Sequence, residues 1–187
     1  MQFILLASLI AAANAYGLNT TSDTTCVCTT VPCPVSGSNS LVVGGGSVGT
    51  YHYSNHNGQP VVTSASVTIT QNDLGKGTDT TSCTQEYSRM LDDDGVQDCD
   101  AGHILANRLG GPGNQPTNIF PQDLSINRGS YAQYEDQINT CVDGGQDASL
   151  SWTFTYESTS HTKPYKVKYS AVYTSGDCDD STVDFTN

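Results

Sequence analysis

Hydrophobic and polar positions alternate with a period of two along several stretches of the chain. Ser64–Thr70 sets Ala65, Val67 and Ile69 between small hydroxyl residues, inside a β-rich run from Val61 to Thr70. That is the pattern of a strand with one face buried. Thr50–Tyr53 reads the same way. Ser149–Glu157 places Leu150, Trp152, Phe154 and Tyr156 between small polar residues, and Tyr165–Tyr173 alternates Tyr165, Val167, Tyr169 and Ala171 or Val172. A polar loop between these two runs predicts an antiparallel pair. Thr84–Leu91 is read as a further strand, closed by the acidic turn Asp92–Gly95, which lacks the later acidic ligand of a calcium loop and is taken as solvated. One segment changes period. Tyr131, Tyr134, Ile138 and Cys141 recur at helical spacing, so Asn127–Val142 is the predicted helix, ended by Gly144 and Gly145. Leu41–Val43 is a short apolar run before a bland turn at Gly44–Gly46, and Gln71–Thr81 is loop. With more strand than helix, the expected fold is α+β around an antiparallel sheet.

The N-terminus follows another rule. Its first fifteen residues carry no charge, Phe3–Ala13 is nearly all apolar, and Ala13-Asn14-Ala15 has the form of a cleavage site. The run is too short to span a bilayer, so residues 1–15 are predicted to be a signal peptide of a secreted, extracellular protein. Residues 16–45, rich in Thr, Ser, Cys and Pro, read as a disulfide-stapled arm, and residues 46–187 as the functional domain. A chain of 187 residues is long enough for one buried core.

All seven cysteines follow the predicted leader, which in a secreted protein points to disulfides. The rival is a metal site at Cys26, Cys28 and Cys33, but that spacing fits no common zinc pattern and has no histidine nearby. Cys83–Cys99, Cys141–Cys178 and one bridge within Cys26–Cys33 are the expected pairs, with one thiol left over. Asn19-Thr20-Thr21 is a glycosylation sequon. The net charge of −12 opposes tight nucleic-acid binding, which relies on cations against phosphate. It leaves room for a hydrolase, where positive charge is needed only at the scissile phosphate and a metal ion supplies much of it.

Candidate chemistry is concentrated in Asp100–Glu135. The segment carries Asp100, His103, Asn118, Asn127 and Glu135, with glycines at 102, 110, 111 and 113 that let backbone approach a ligand. On a regular helix, Asn127 and Glu135 are offset by about 80° after two turns, so they share one stripe with Tyr131. A histidine, an amide and a carboxylate that converge suffice for one general base and one hydrated divalent ion.

These residues resemble a known family. Asp100-Ala101-Gly102-His103, then Asn118-Ile119-Phe120-Pro121-Gln122, then Asn127-Arg128-Gly129 and Glu135 are similar to the motifs of the DNA/RNA non-specific endonucleases of the ββα-metal (His-Me finger) superfamily. His103–Ala106 with Leu109–Gly111 resembles a branch found in secreted bacterial toxins, and a looser likeness runs from Tyr51 to Tyr173. The resemblance implies a ββα-metal motif in a fold with few helices, acting on DNA, RNA or both. It implies His103 as the general base, Asn127 as the direct ligand of Mg2+ (or Mn2+ or another divalent ion), and Glu135 as holder of a metal-bound water. Asn118 would fix the His103 loop or such a water, and Asp100 would support the turn. Many members carry arginine where this chain has Ala101, so Arg89, Arg108 and Arg128 are the candidates for gripping phosphate. Lys163, Lys166 and Lys168 either touch the nucleic-acid backbone or form a solvated strand face. The alternative is a secreted, catalytically inactive binding protein or effector with the same fold.

Overall fold

Alternation along the strands ends, physically, in a sheet with one wet face and one dry one. The computed structural model describes residues 27–95, 99–175 and 177–187. The predicted leader, the sequon and Cys26 lie outside the described residues. The strands are β1 (Gly37–Val42), β2 (Val48–His56), β3 (Gln59–Ile69), β4 (Cys99–His103), β5 (Ile119–Asp123), β6 (Ala148–Thr155), β7 (Lys166–Tyr173) and β8 (Ser181–Thr186). Six form an antiparallel sheet in the order β1-β2-β3-β6-β7-β8, while β4 and β5 pair as a separate ribbon. Register sets Tyr51, Ala65, Trp152, Tyr169 and Val183 side by side on the inner face, and Thr50, Ser66, Ser151, Ser170 and Thr182 side by side on the outer one. The aromatic row is closely packed, with the rings of Trp152 and Tyr169 4.5 Å apart. No helix among the described residues is long and apolar enough to cross a membrane.

The inner face is covered by the predicted helix. It starts as a short turn α2 (Leu124–Ile126), widens through Asn127–Tyr131 and continues as α3 (Ala132–Asp143). Tyr131, Tyr134, Ile138 and Val142 enter the core, and the Trp152 indole donates to the Tyr131 hydroxyl at 3.0 Å. The helix is not regular. Gly129 has φ −112 and ψ −109, which kinks the wide turn. Such turns gather at functional sites, and here it carries Asn127 and Arg128.

Several expectations are corrected. Thr84–Leu91 is not a strand but most of helix α1 (Ser82–Leu91). Thr81 caps it, exchanging hydrogen bonds with Thr84, and Thr84, Tyr87, Ser88 and Leu91 are buried at helical spacing. The pairing Cys83–Cys99 is replaced by Cys28–Cys83, with Cα atoms 5.3 Å apart, and Cys99 is free. Cys141–Cys178 is present, with Cα atoms 6.1 Å apart, and Cys33 is also disulfide-bonded. The acidic turn is not simply solvated. Asp92 is nearly buried against Lys163, and Asp94 and Asp123 reach the same ammonium at 2.5 and 2.7 Å. Asp93 accepts from the backbone N–H groups of Thr162 and Lys163. Lys163 therefore fastens the β6–β7 connection to the end of α1, and Lys166 pairs with Asp184 at 2.8 Å.

Candidate active site

The site is built on the β4–β5 ribbon. Cα register sets His103 opposite Ile119 and Asp100 opposite Gln122. The buried side chains of Ile119 and Phe120 anchor β5 in the two hydrophobic clusters, while α1 braces β4 through the Ser88 hydroxyl, which donates to the Asp100 carbonyl at 3.0 Å. Gly102 is demanded by its neighbour: an added Cβ would lie 2.4 Å from the Gln122 amide oxygen. Gln122 is wholly buried, and neither amide atom has a hydrogen-bond partner among the described residues.

His103 is fixed through one ring nitrogen. Its Nε2 lies 3.0 Å from the Thr78 carbonyl oxygen. A carbonyl only accepts, so Nε2 carries the proton and Nδ1 keeps the lone pair. Burial holds the imidazole pKa below its ordinary 6.5, although the Thr78 carbonyl and the Asp79 charge push it upward. Gly113 packs against this contact, for a Cβ there would stand 2.4 Å from Nε2 and 2.6 Å from the Thr78 carbonyl.

Asn127 is fixed in the same manner. Asp100 Oδ2 accepts from the Asn127 amide nitrogen at 2.9 Å, which leaves the amide oxygen as a free ligand. The same carboxylate receives a two-point contact from Arg128, at 2.8 Å to each oxygen. Glu135 lies deeper, 8 % exposed. Its Oε1 is buried without a hydrogen-bond partner among the described residues, and burial lifts its pKa from 4.5 to about 8 against the opposing pull of Arg108. Arg108 itself pairs with Asp136. An unpartnered buried carboxylate oxygen is costly unless something on its open side is held. With the freed Asn127 oxygen, it fits a hydrated divalent ion: one amide ligand, and one carboxylate for a coordinated water.

Asn118 does not line the cleft. It is fully buried, and its amide accepts from Leu105 N at 2.9 Å and the Tyr51 hydroxyl at 3.1 Å while donating to Leu105 O at 2.9 Å. Its backbone carbonyl accepts from Ile104 N. These bonds tie Asn118 to the loop after His103.

The cleft is lined by Asp79, Thr80, Gln85, Arg89, Cys99, Asp100, Ala101, His103, Asn107, Asn127 and Arg128. It thus gathers Asp100, His103, Asn127, Arg89 and Arg128, and leaves out Asn118, Glu135 and Arg108. Two carboxylates stand against two guanidiniums, so the cleft is formally neutral inside a chain of net charge −12. Sequence reasoning missed Thr78, Asp79 and Asn107, whereas Gly113 was among the glycines it singled out. The Thr78 contact is a backbone carbonyl and has no side-chain signature. Asn107 donates to Asp79 at 2.7 Å, a pairing across 28 residues that no local spacing reveals.

Comparison with known proteins gives the family and the fold. The family model described as DNA/RNA non-specific endonuclease matches residues 44–173. A curated relative, the probable deoxyribonuclease RhsA of Dickeya dadantii strain 3937, is 35% identical over 121 residues, covering 65% of this chain but only 8% of that protein. Among solved structures, NucA from Streptococcus agalactiae with no metal bound has a TM-score of 0.55 and 13% identity, over 84% of this chain and 83% of that one. The same protein with a magnesium ion bound has a TM-score of 0.51 and 14% identity, over 80% of this chain and 84% of that one. At such identities the two NucA structures speak for the fold.

Proposed function

Because the chain belongs to the DNA/RNA non-specific endonuclease family, we propose that it is a metal-dependent endonuclease hydrolysing phosphodiester bonds in DNA, RNA or both. The observation that carries this reading is a matched pair of pinned side chains in one cleft. His103 is held by Nε2, and Asn127 by its amide nitrogen. Each is left with a lone pair, on Nδ1 and on Oδ1.

His103 Nδ1 takes a proton from a water molecule as its oxygen bonds to phosphorus and the ester oxygen leaves. The lowered pKa keeps the ring neutral and able to accept at physiological pH. Asp100 does not touch the reacting atoms. It turns the Asn127 amide so that oxygen, not nitrogen, is offered. Asn127 would hold the divalent ion directly, and Glu135 would hold one of its waters. When bound, that ion neutralises charge on the scissile phosphate and the leaving oxygen. Magnesium is the favoured ion, because few protein ligands suit its retained hydration shell and a NucA structure carries magnesium. Nothing in the mechanism requires base edges to be read, so sequence-independent cleavage follows. The disulfides favour an oxidising destination, and with the apolar N-terminal run we place the protein outside the cell.

The test is degradation of plasmid DNA and of RNA with magnesium, with and without EDTA. Wild type should cleave, EDTA should stop it, and His103→Ala should lower the rate about a hundred- to ten-thousand-fold. A well-folded wild type that cleaves neither substrate under any divalent ion would sink the reading.

A further inference from the structure

We propose that Arg89, delivered from helix α1, is the side chain that grips substrate phosphate in this cleft. The inference rests on the endonuclease reading and names the residue that binds its substrate. A polyanion approaching a chain of net charge −12 needs at least one uncommitted cation at the site. Of the chain's seven Lys and Arg residues, only Arg89 and Arg128 line the cleft, and Lys76 bonds the Asn72 side chain elsewhere. Arg108 pairs with Asp136. Arg128 lies at the cleft, but its charge and its Nε–Nη2 edge are engaged by Asp100, and releasing it would also free Asn127 from its orienting partner. Lys163 is enclosed by three aspartates and Lys166 is paired with Asp184. Lys168 is exposed on a strand of the six-stranded sheet, away from the ribbon. Arg89 alone both lines the cleft and, among the described residues, has no counter-ion.

Its placement is built rather than incidental. Arg89 stands in the last turn of α1, exposed, while Tyr87, Ser88 and Leu91 beside it are buried. Ser88 is tied to the Asp100 carbonyl, and the cluster formed by Tyr87, Leu91, Val61 and Ile119 extends onto Ala101 of β4. The small side chain at 101 lets the helix lie close on the ribbon. The N-terminal end of α1 is held by the Cys28–Cys83 bridge. An arginine presented from a rigid helix makes two parallel hydrogen bonds to a phosphate with little freedom left to lose.

The experiment compares wild type, Arg89→Ala, Arg89→Lys and the charge-matched control Lys168→Ala. Binding of a fluorescent DNA duplex is measured in EDTA over a series of salt concentrations, and cleavage is measured with magnesium. Arg89→Ala should reduce the log–log salt slope by about one and lower kcat/KM about ten- to a hundredfold, mainly through KM. Arg89→Lys should restore the slope but only part of kcat/KM, since an ammonium replaces the charge and not the fork. Lys168→Ala should leave cleavage unchanged. If wild type cleaves and Arg89→Ala matches it in both slope and kcat/KM, the proposal is overturned. If wild type binds but does not cleave, the endonuclease reading fails while the salt slope still decides whether Arg89 contacts phosphate.

Discussion

At the scale of single residues, burial shifts two ionisable groups in opposite directions for one reason: it penalises whichever form is charged. Glu135 is pushed up from 4.5 to about 8, and His103 is held below 6.5. For Glu135 the folded chain keeps a proton that the unfolded chain releases. The metal-free protein should therefore lose stability as pH rises from about 4.5 to about 8. A divalent ion must displace that same proton, so its affinity should rise across the upper part of this window. The measurement is the magnesium-induced shift in Tm against pH. It should grow toward pH 8 in wild type and be flat in Glu135→Gln, and an undiminished slope in the variant would locate the proton elsewhere. If His103 is the general base, the acid limb of kcat/KM that remains with the ion saturating should lie below pH 6.5.

At the scale of elements, the end of the β4–β5 ribbon is tied to the loop after His103 and to β2 by one side chain, Asn118, which bonds both backbone groups of Leu105 and the Tyr51 hydroxyl. Asn118→Ala leaves three buried polar groups unpaired, for a loss of about 3 kcal/mol or more by chemical denaturation. A loss below about 1 kcal/mol would mean that water fills the gap and the knot is dispensable. How much of this was legible in the sequence depended on where each side chain ends up. Strands β6 and β7 were plain because Trp152, Phe154, Val167 and Tyr169 alternate with polar residues and are buried by pairing on both sides. Strands β1 and β8 are sheet edges; β1 buries none of its side chains and β8 only Phe185, so they left no strong pattern. Helix α1 was misread because two positions of its buried stripe are polar. Thr84 bonds the Gly113 carbonyl at 2.8 Å and Ser88 the Asp100 carbonyl at 3.0 Å, and a hydroxyl satisfied by tertiary contact looks like a solvent-facing one. The site showed the same division. Asp100, His103 and Asn127 were visible as ordered motifs, whereas the Thr78 carbonyl and the commitment of Arg128 and Arg108 to aspartates exist only in three dimensions.

At the scale of the whole molecule, the two described bridges have different relations to the cleft. Cys28–Cys83 closes 55 residues and anchors the start of α1, the helix that braces β4 and carries Arg89. Cys141–Cys178 closes 37 residues and joins the end of α3 to the segment before β8, at the opposite end of the helical segment from Asn127. Loop closure makes each worth about 4 kcal/mol in the chain-entropy account, so reduction should lower Tm markedly, and an unchanged Tm in reductant would remove both as structural elements. Their functional consequences should separate. Cys28→Ser with Cys83→Ser frees α1 at its start, so below the new Tm it should lose cleavage mainly through KM. Cys141→Ser with Cys178→Ser should lose comparable stability yet keep kcat/KM, because the bridge is attached at the end of α3 away from Asn127. Equal loss of kcat/KM in both double variants would mean that the bridges act only through global stability. Cys99→Ser should change Tm little, since Cys99 is the free thiol among the described residues and the substitution preserves a side chain able to meet the Ser88 hydroxyl.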